Sequence, residues 1–309
     1  METFAIPFLL FVGALLALQA AANVQLSTAT GSPFGASTLQ LGIGATLLLA
    51  VATVAGSLDA FGGLGSAEPW HLIGGLGSAV YITSGILLFP RLGAVLTVGF
   101  WISGQMLASL VLDGFGWLGV EADPLGGPEI VGGLAVLVGA ALIARAQRGR
   151  GVPAGGLRQR GGWLALAVLA GAALPLQGAI NAELRSDLDA TIAVGAVSFV
   201  VATAGMGLLL VGSLSIADAP RPRIQPLRRM PWWGWLGGFA GALYVTAVFS
   251  LIPEIGAAPT IALTVGGQQA ASVLVDRYGL LRLPRRPISP QRLVGVGALL
   301  TGVVLIQLA

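Results

Sequence analysis

GGLGSAVYITSGILLFPRLG, residues 74–93, returns 163 positions later as GGFAGALYVTAVFSLIPEIG, residues 237–256. Both copies open on paired glycines, carry a tyrosine at the same place and close on Pro-x-x-Gly. Each is apolar over about 20 residues, the length a helix needs to cross a hydrocarbon layer about 30 Å thick. The closing turn holds Arg91 in the first copy and Glu254 in the second. A cation belongs on the cytoplasmic side of a bilayer, so the exchange supports two copies that cross in opposite directions, as an odd number of helices, five per copy, requires.

The match extends on both sides. GQMLASLVLDGFG (104–116) pairs with GQQAASVLVDRYG (267–279) at the same offset, and LALQAAANVQL (16–26) pairs with LPLQGAINAEL (174–184) at an offset of 158. Apolar runs long enough to span fall at about 5–26, 34–56, 70–89, 92–112 and 129–146, then at about 163–182, 190–215, 232–252, 256–276 and 291–308. In lipid only helices and closed barrels satisfy their backbone, and runs this long are helical. The expected fold is therefore all-α: a polytopic membrane protein of ten transmembrane helices, arranged as two inverted five-helix repeats. The first repeat covers 1–146, an Arg/Gly-rich cytoplasmic linker 147–162, and the second repeat 163–309.

Composition points the same way. Of the 309 residues, 55% are hydrophobic and only 9% charged, against roughly 25% charged in soluble domains. All 16 basic residues are arginine. Counted along alternate loops, one side holds Arg91, five arginines between 145 and 160, four between 221 and 229 and five between 277 and 292; the other side holds Arg185 alone. The acidic residues do the reverse, with only Asp218 and Asp276 on the arginine side. The positive-inside rule makes the arginine-rich loops cytoplasmic and puts both termini outside. The opening METFAIPF lacks the positive start of a secretory signal, so the first apolar run reads as a span.

Polar side chains inside a bilayer are expensive and need a partner or a purpose. Thr97, Trp101, Gln105, Ser109 and Asp113 follow one another at four-residue spacing along the fourth helix, and Thr260, Thr264, Gln268, Ser272 and Asp276 repeat the series. Such spacing keeps a stripe on one slowly drifting face. Gln105 and Gln268 fall nearest mid-membrane, whereas Asp113 and Asp276 fall at opposite helix ends. On the first helix of each copy Gln19 and Asn23 stand one turn apart, repeated as Gln177 and Asn181. Pro175, beside the second pair, frees a backbone carbonyl and predicts a kink there. Tyr81 and Tyr244 occupy equivalent places in the third helices. Two readings stay open for all of these: bonds that hold helices together, or the polar lining of a solute path. Gly74, Gly75, Gly237, Gly238 and Gly241 read as packing positions, and His71, beside Trp70, as interfacial.

Several classes are excluded or disfavoured. With no cysteine and one histidine, thiolate and multi-histidine metal centres are out, and no cofactor is expected. A net charge of +3 is too small for a nucleic-acid partner. No acid or base falls in the middle of any span, so strongly cationic solutes are disfavoured. No nucleophile–base pair gives catalysis a home.

The sequence LALQAAAN (16–23) with LPLQGAIN (174–181), the tyrosine helices closing on Pro-x-x-Gly, and the Gly-Gln series closing on Asp-x-x-Gly resemble the YdcZ-like inner-membrane exporters of the drug/metabolite transporter superfamily. The resemblance covers roughly 5–146 and 163–308, a fused tandem of a unit often found alone. It implies a bacterial inner-membrane carrier that works by alternating access, with a small polar or drug-like solute and membrane lipid as partners. On that reading Gln19, Asn23, Tyr81, Trp101, Gln105, Gln177, Asn181, Tyr244 and Gln268 bind the solute, and Asp113 and Asp276 lie towards two gates. The fused halves remove the need to dimerise without forbidding it. The competing expectation is a lipid-interacting or assembly protein with no aqueous path.

Overall fold

The computed structural model describes residues 2–120, 122, 125–146, 157–216, 221–255 and 257–307, and all regular structure among them is helical. The linker stretch 147–156, Glu121, Asp123, Asp218, Gly256 and the side chain of Glu254 lie outside the described residues. Among the described residues ten α-helices follow one another: α1 (Glu2–Thr30), α2 (Pro33–Val54), α3 (Leu76–Leu92), α4 (Ala94–Phe115), α5 (Gly127–Ala146), α6 (Leu157–Leu188), α7 (Thr191–Ile216), α8 (Leu236–Ile255), α9 (Ala257–Tyr278) and α10 (Pro290–Gln307). Among the described residues seven segments are long and apolar enough to cross a membrane: Phe4–Thr30, Pro33–Val54, Pro69–Leu92, Ala94–Phe115, Gly127–Ala146, Gly161–Leu188 and Thr191–Ser215. Pro290–Ile306 is apolar but shorter. The surface is that of a chain dissolved in lipid: Phe4, Phe11, Leu134, Leu208 and Val211 are exposed, while Gln19, Asn23, Gln40, Gln268 and Gln269 are buried.

Two boundaries differ from the sequence expectation. α6 begins at Leu157, so 157–162 are helical rather than linker. Leu, Arg and Gln are sound helix formers, and Gly161 and Gly162 cost the helix only about 1 kcal/mol each. The reversal between α3 and α4 does not start at Pro90, which sits in the last turn of α3. It rests on Gly93 alone, at φ 83° and ψ 164°, a conformation that only glycine adopts freely. A Cβ there would also meet the Arg286 side chain at 2.5 Å.

The halves interlock rather than sit side by side. α1 packs on α9 and α8, as α6 packs on α4 and α3; α2 meets α7, and α5 meets α10. The contacts agree residue by residue. A Cβ on Gly13 would lie 1.9 Å from the Thr264 carbonyl oxygen, and one on the equivalent Gly171 lies 2.1 Å from that of Trp101. Gly267 lies on the Leu10 carbonyl as Gly104 lies on that of Val168. Between α5 and α10, Gly132 faces Gly302 and Gly139 faces Gly295, each against the other's carbonyl. Lipid gives no hydrophobic drive between helices, so close approach through small residues supplies the packing.

The contacts also fix direction. α1 ends beside the α7–α8 connection, where the Arg223 N–H donates to the Thr30 carbonyl (2.8 Å). α6 starts near the end of α3, with the Arg91 guanidinium 4.5 Å over the Trp163 ring. The first helix of one half thus finishes at the arginine-rich end, and that of the other half begins there.

Gly139→Leu should therefore lower stability by at least about 1–3 kcal/mol through overpacking, read as an earlier thermal melt in detergent. Gly178→Ala, where a Cβ meets nothing within 4 Å, should melt no earlier than the parent protein.

Candidate functional site

The exchange symmetry of the helix packing fails most plainly at one place. α1 packs on α3, but among the described residues α6 and α8 make no comparable contact. A cavity of about 140 Å³ occupies that place. Its walls are Gln105, Met106 and Ser109 of α4, Leu174, Pro175, Gln177 and Gly178 of α6, Tyr244, Val245 and Val248 of α8, and Ile261 of α9. Leu174, Gln177, Tyr244 and Val245 also border a smaller hollow of about 40 Å³, which reaches Gln19, Ser78 and Tyr81. Both halves of the chain contribute to each.

The polar groups at the cavity are held to different degrees. The Gln177 Oε1 accepts from the Ser78 hydroxyl (2.9 Å), and its Nε2 donates to the Ser198 hydroxyl (3.4 Å). Gln105 has no hydrogen-bond partner among the described residues, and its 7% exposure is onto the cavity. Tyr244 lies against the Thr264 side chain. Pro175 stands in the wall at the place where the sequence predicts a kink.

Of the residues expected to bind solute, Gln105, Gln177 and Tyr244 meet at the larger cavity and Gln19 and Tyr81 at the smaller. The others are held elsewhere. Trp101 is fully buried, its ring 4.2 Å from that of Tyr81 and its indole N–H donating to the Ser84 hydroxyl (3.1 Å). Gln268 donates its amide to the Tyr81 hydroxyl. Asn181 donates to Ser198 (3.1 Å) and crowds Gly74, just as Asn23 crowds Gly237. The Asn23 carboxamide and that of neighbouring Gln40 are buried without hydrogen-bond partners among the described residues. In α9 the stripe is closed: Thr264 and Ser272 donate back to the carbonyls of Ile261 (3.0 Å) and Gln269 (2.6 Å).

Asp276 caps a helix of the other half. Its Oδ1 accepts from the Ala94 N–H (2.8 Å) and its Oδ2 from the Val95 N–H (3.2 Å), at the start of α4. The Arg292 guanidinium adds a 2.6 Å ion pair, with both side chains 3% exposed. Arg286 joins them: its backbone N–H donates to the Asp276 carbonyl (2.6 Å) and its side chain to the Pro90 carbonyl (3.0 Å). Burial pushes the Arg286 pKa down, Asp276 draws it back up and Arg292 lowers it further. A carboxylate at a helix N-terminus satisfies orphan N–H groups and meets the positive end of the dipole. This network ties α9 and α10 to the α3–α4 turn at the arginine-rich end. Gln105 lies at the middle of α4, and Ser109 and Ile261 lie towards the other end of their helices, where Asp113 is half-buried and His71 pairs with Asp187 (2.6 Å).

The sequence pattern of the family described as "Putative inner membrane exporter, YdcZ" matches residues 4–142 and 162–305. The chain belongs to this family. The "Inner membrane protein YdcZ" of Escherichia coli (strain K12) is 28% identical over 145 residues, which is 47% of this chain and 97% of that relative. A solved crystal structure aligns over 98% of this chain and 97% of its own length, with a TM-score of 0.60 at 15% identity, a likeness of fold alone. The chain is thus a multi-pass inner-membrane protein of an exporter family.

Sequence reasoning missed the apolar part of the wall, and it missed Arg286 and Arg292. It also passed over one visible signal, the replacement of Trp101 by Thr264 at equivalent places in the two stripes. The bonding pattern separates two tyrosines that the sequence treats alike. Tyr81→Phe leaves the buried Gln268 amide without its acceptor and should cost about 1–3 kcal/mol in a thermal melt. Gln105→Ala removes no bond and should shift the melt by less.

Proposed function

We propose that the protein exports a small solute by alternating access, with the two repeats rocking around the α4–α6–α8–α9 cavity. The observation that carries this is a cavity built from both halves, and we read the Asp276–Arg286–Arg292 network as the seal of one end. Inverted repeats that enclose a site near midplane are a recurrent architecture of secondary carriers, and the exporter family to which the chain belongs is in keeping with it. The positive-inside rule puts the sealed end in the cytoplasm and both termini outside, so this conformation is the outward-facing one. Gln105 and Gln177 present carboxamides to the solute, which donate and accept alike. Asp276 acts as the inner gate by tying α9 of one half to α4 of the other.

A non-transporting, lipid-interacting or assembly role has one observation in its favour: the α9 stripe is packed shut. The absence of native cysteine gives a clean test. Ser109→Cys should react from the outside with a membrane-impermeant thiol reagent in intact cells. Adding Asp276→Asn removes a buried charge partner worth about 3–5 kcal/mol to the closed inner face, so outside labelling should fall and labelling from the cytoplasmic side of inverted vesicles should rise. No reaction at Ser109→Cys from either side would remove the transport reading.

A further inference from the structure

The cavity sits where the other half keeps an indole. In the first repeat Trp101 lies over Tyr81, with ring centroids 4.2 Å apart and planes 34° apart. Its ring edge passes Gly85, where a Cβ would come within 2.9 Å of the indole and 3.3 Å of the Ala20 methyl. The repeat carries Tyr81 onto Tyr244, Gly85 onto Val248 and Ala20 onto Gly178. All three counterparts line the cavity. The counterpart of Trp101 itself is Thr264, which touches Tyr244 but is far too small to fill the space an indole takes.

We infer that the cavity takes an uncharged planar aromatic solute of one or two rings, seated where Trp101 seats its own indole in the opposite repeat. This rests on the transport reading only for its purpose; the binding stands on geometry. Size fits: an apolar cavity of about 150 Å³ is known to hold benzene, and the adjoining hollow extends this one. Charge fits as well. Among the described residues no acidic or basic side chain lines either space, so a charged solute would shed its hydration for no counter-charge there. Asp113 lies one turn beyond Ser109 and is not part of the wall. Tyr244 offers the aromatic face that Tyr81 offers to Trp101, and offset or tilted ring pairs are favoured over sandwiches. Gln105, Ser109 and Gln177 supply hydrogen bonds for one polar atom at the rim of such a ring.

Thermal melting of the purified full chain in detergent tests this with three probes of the same shape: indole, the cation tryptamine and the anion indole-3-acetate. Indole should raise the melting temperature by at least roughly 2 °C at saturation, and neither charged probe should match it. Thr264→Trp combined with Val248→Gly rebuilds the packing around Trp101 in the second repeat, and should fold while losing the indole shift. Gly178→Leu, which grows into the cavity from a position with nothing within 4 Å, should lose it as well. The inference is overturned if indole leaves the native protein's melt unchanged, if a charged probe equals indole, or if the shift survives in a folded filled variant. The readout is binding alone, so it succeeds or fails independently of the Ser109→Cys labelling that tests transport.

Discussion

Bare backbone contact between glycines and carbonyls holds the two halves together. Gly13 on Thr264, Gly171 on Trp101, Gly104 on Val168 and Gly267 on Leu10 bring α1 against α9 and α6 against α4 at distances that no side chain tolerates. In water, burial of apolar surface would do this work; in lipid, where the surroundings are as apolar as the protein, contact area and small residues must. Because each contact joins one half to the other, the first helix of each repeat is fixed by its partner's fourth. The positions of Gln105, Gln177 and Tyr244 follow from that interlock.

The symmetry of the two halves fails most plainly beside the cavity. The α1–α3 contact has no comparable α6–α8 counterpart among the described residues, and the indole over Tyr81 has none over Tyr244. Both departures fall at one place, and the cavity is their sum. The two tyrosines show how local the difference is. Tyr81 is clamped between the Trp101 ring and the Gln268 amide, whereas Tyr244 faces the cavity. The same residue in the same register of the repeat serves packing in one half and lines an open space in the other.

Much of the fold was legible because its determinants are local and repeated. Length and hydropathy mark the helices, and the repeated stretches mark the two copies. The end of α3 was misplaced because Pro90 reads as a breaker, although a proline is tolerated in a last turn and the reversal needs only Gly93. The start of α6 was misplaced because paired glycines read as linker. The site was half legible. Four-residue spacing found the polar stripes, but periodicity reports a face and not what that face meets. Whether Gln105 meets a cavity and Gln268 a tyrosine depends on the helix opposite. Asp276 shows the same limit, since its partners are backbone amides of Ala94 and Val95, groups every residue possesses.

Central to the account is a pair of repeats that separate at the arginine-rich end while the cavity stays between them. The distance between spin labels at Arg91→Cys and Arg285→Cys, measured by pulsed electron resonance in liposomes, tests this most directly. The account predicts two separations, with the longer one gaining population when Asp276 is replaced by Asn. A single separation, unchanged by that substitution, would contradict it.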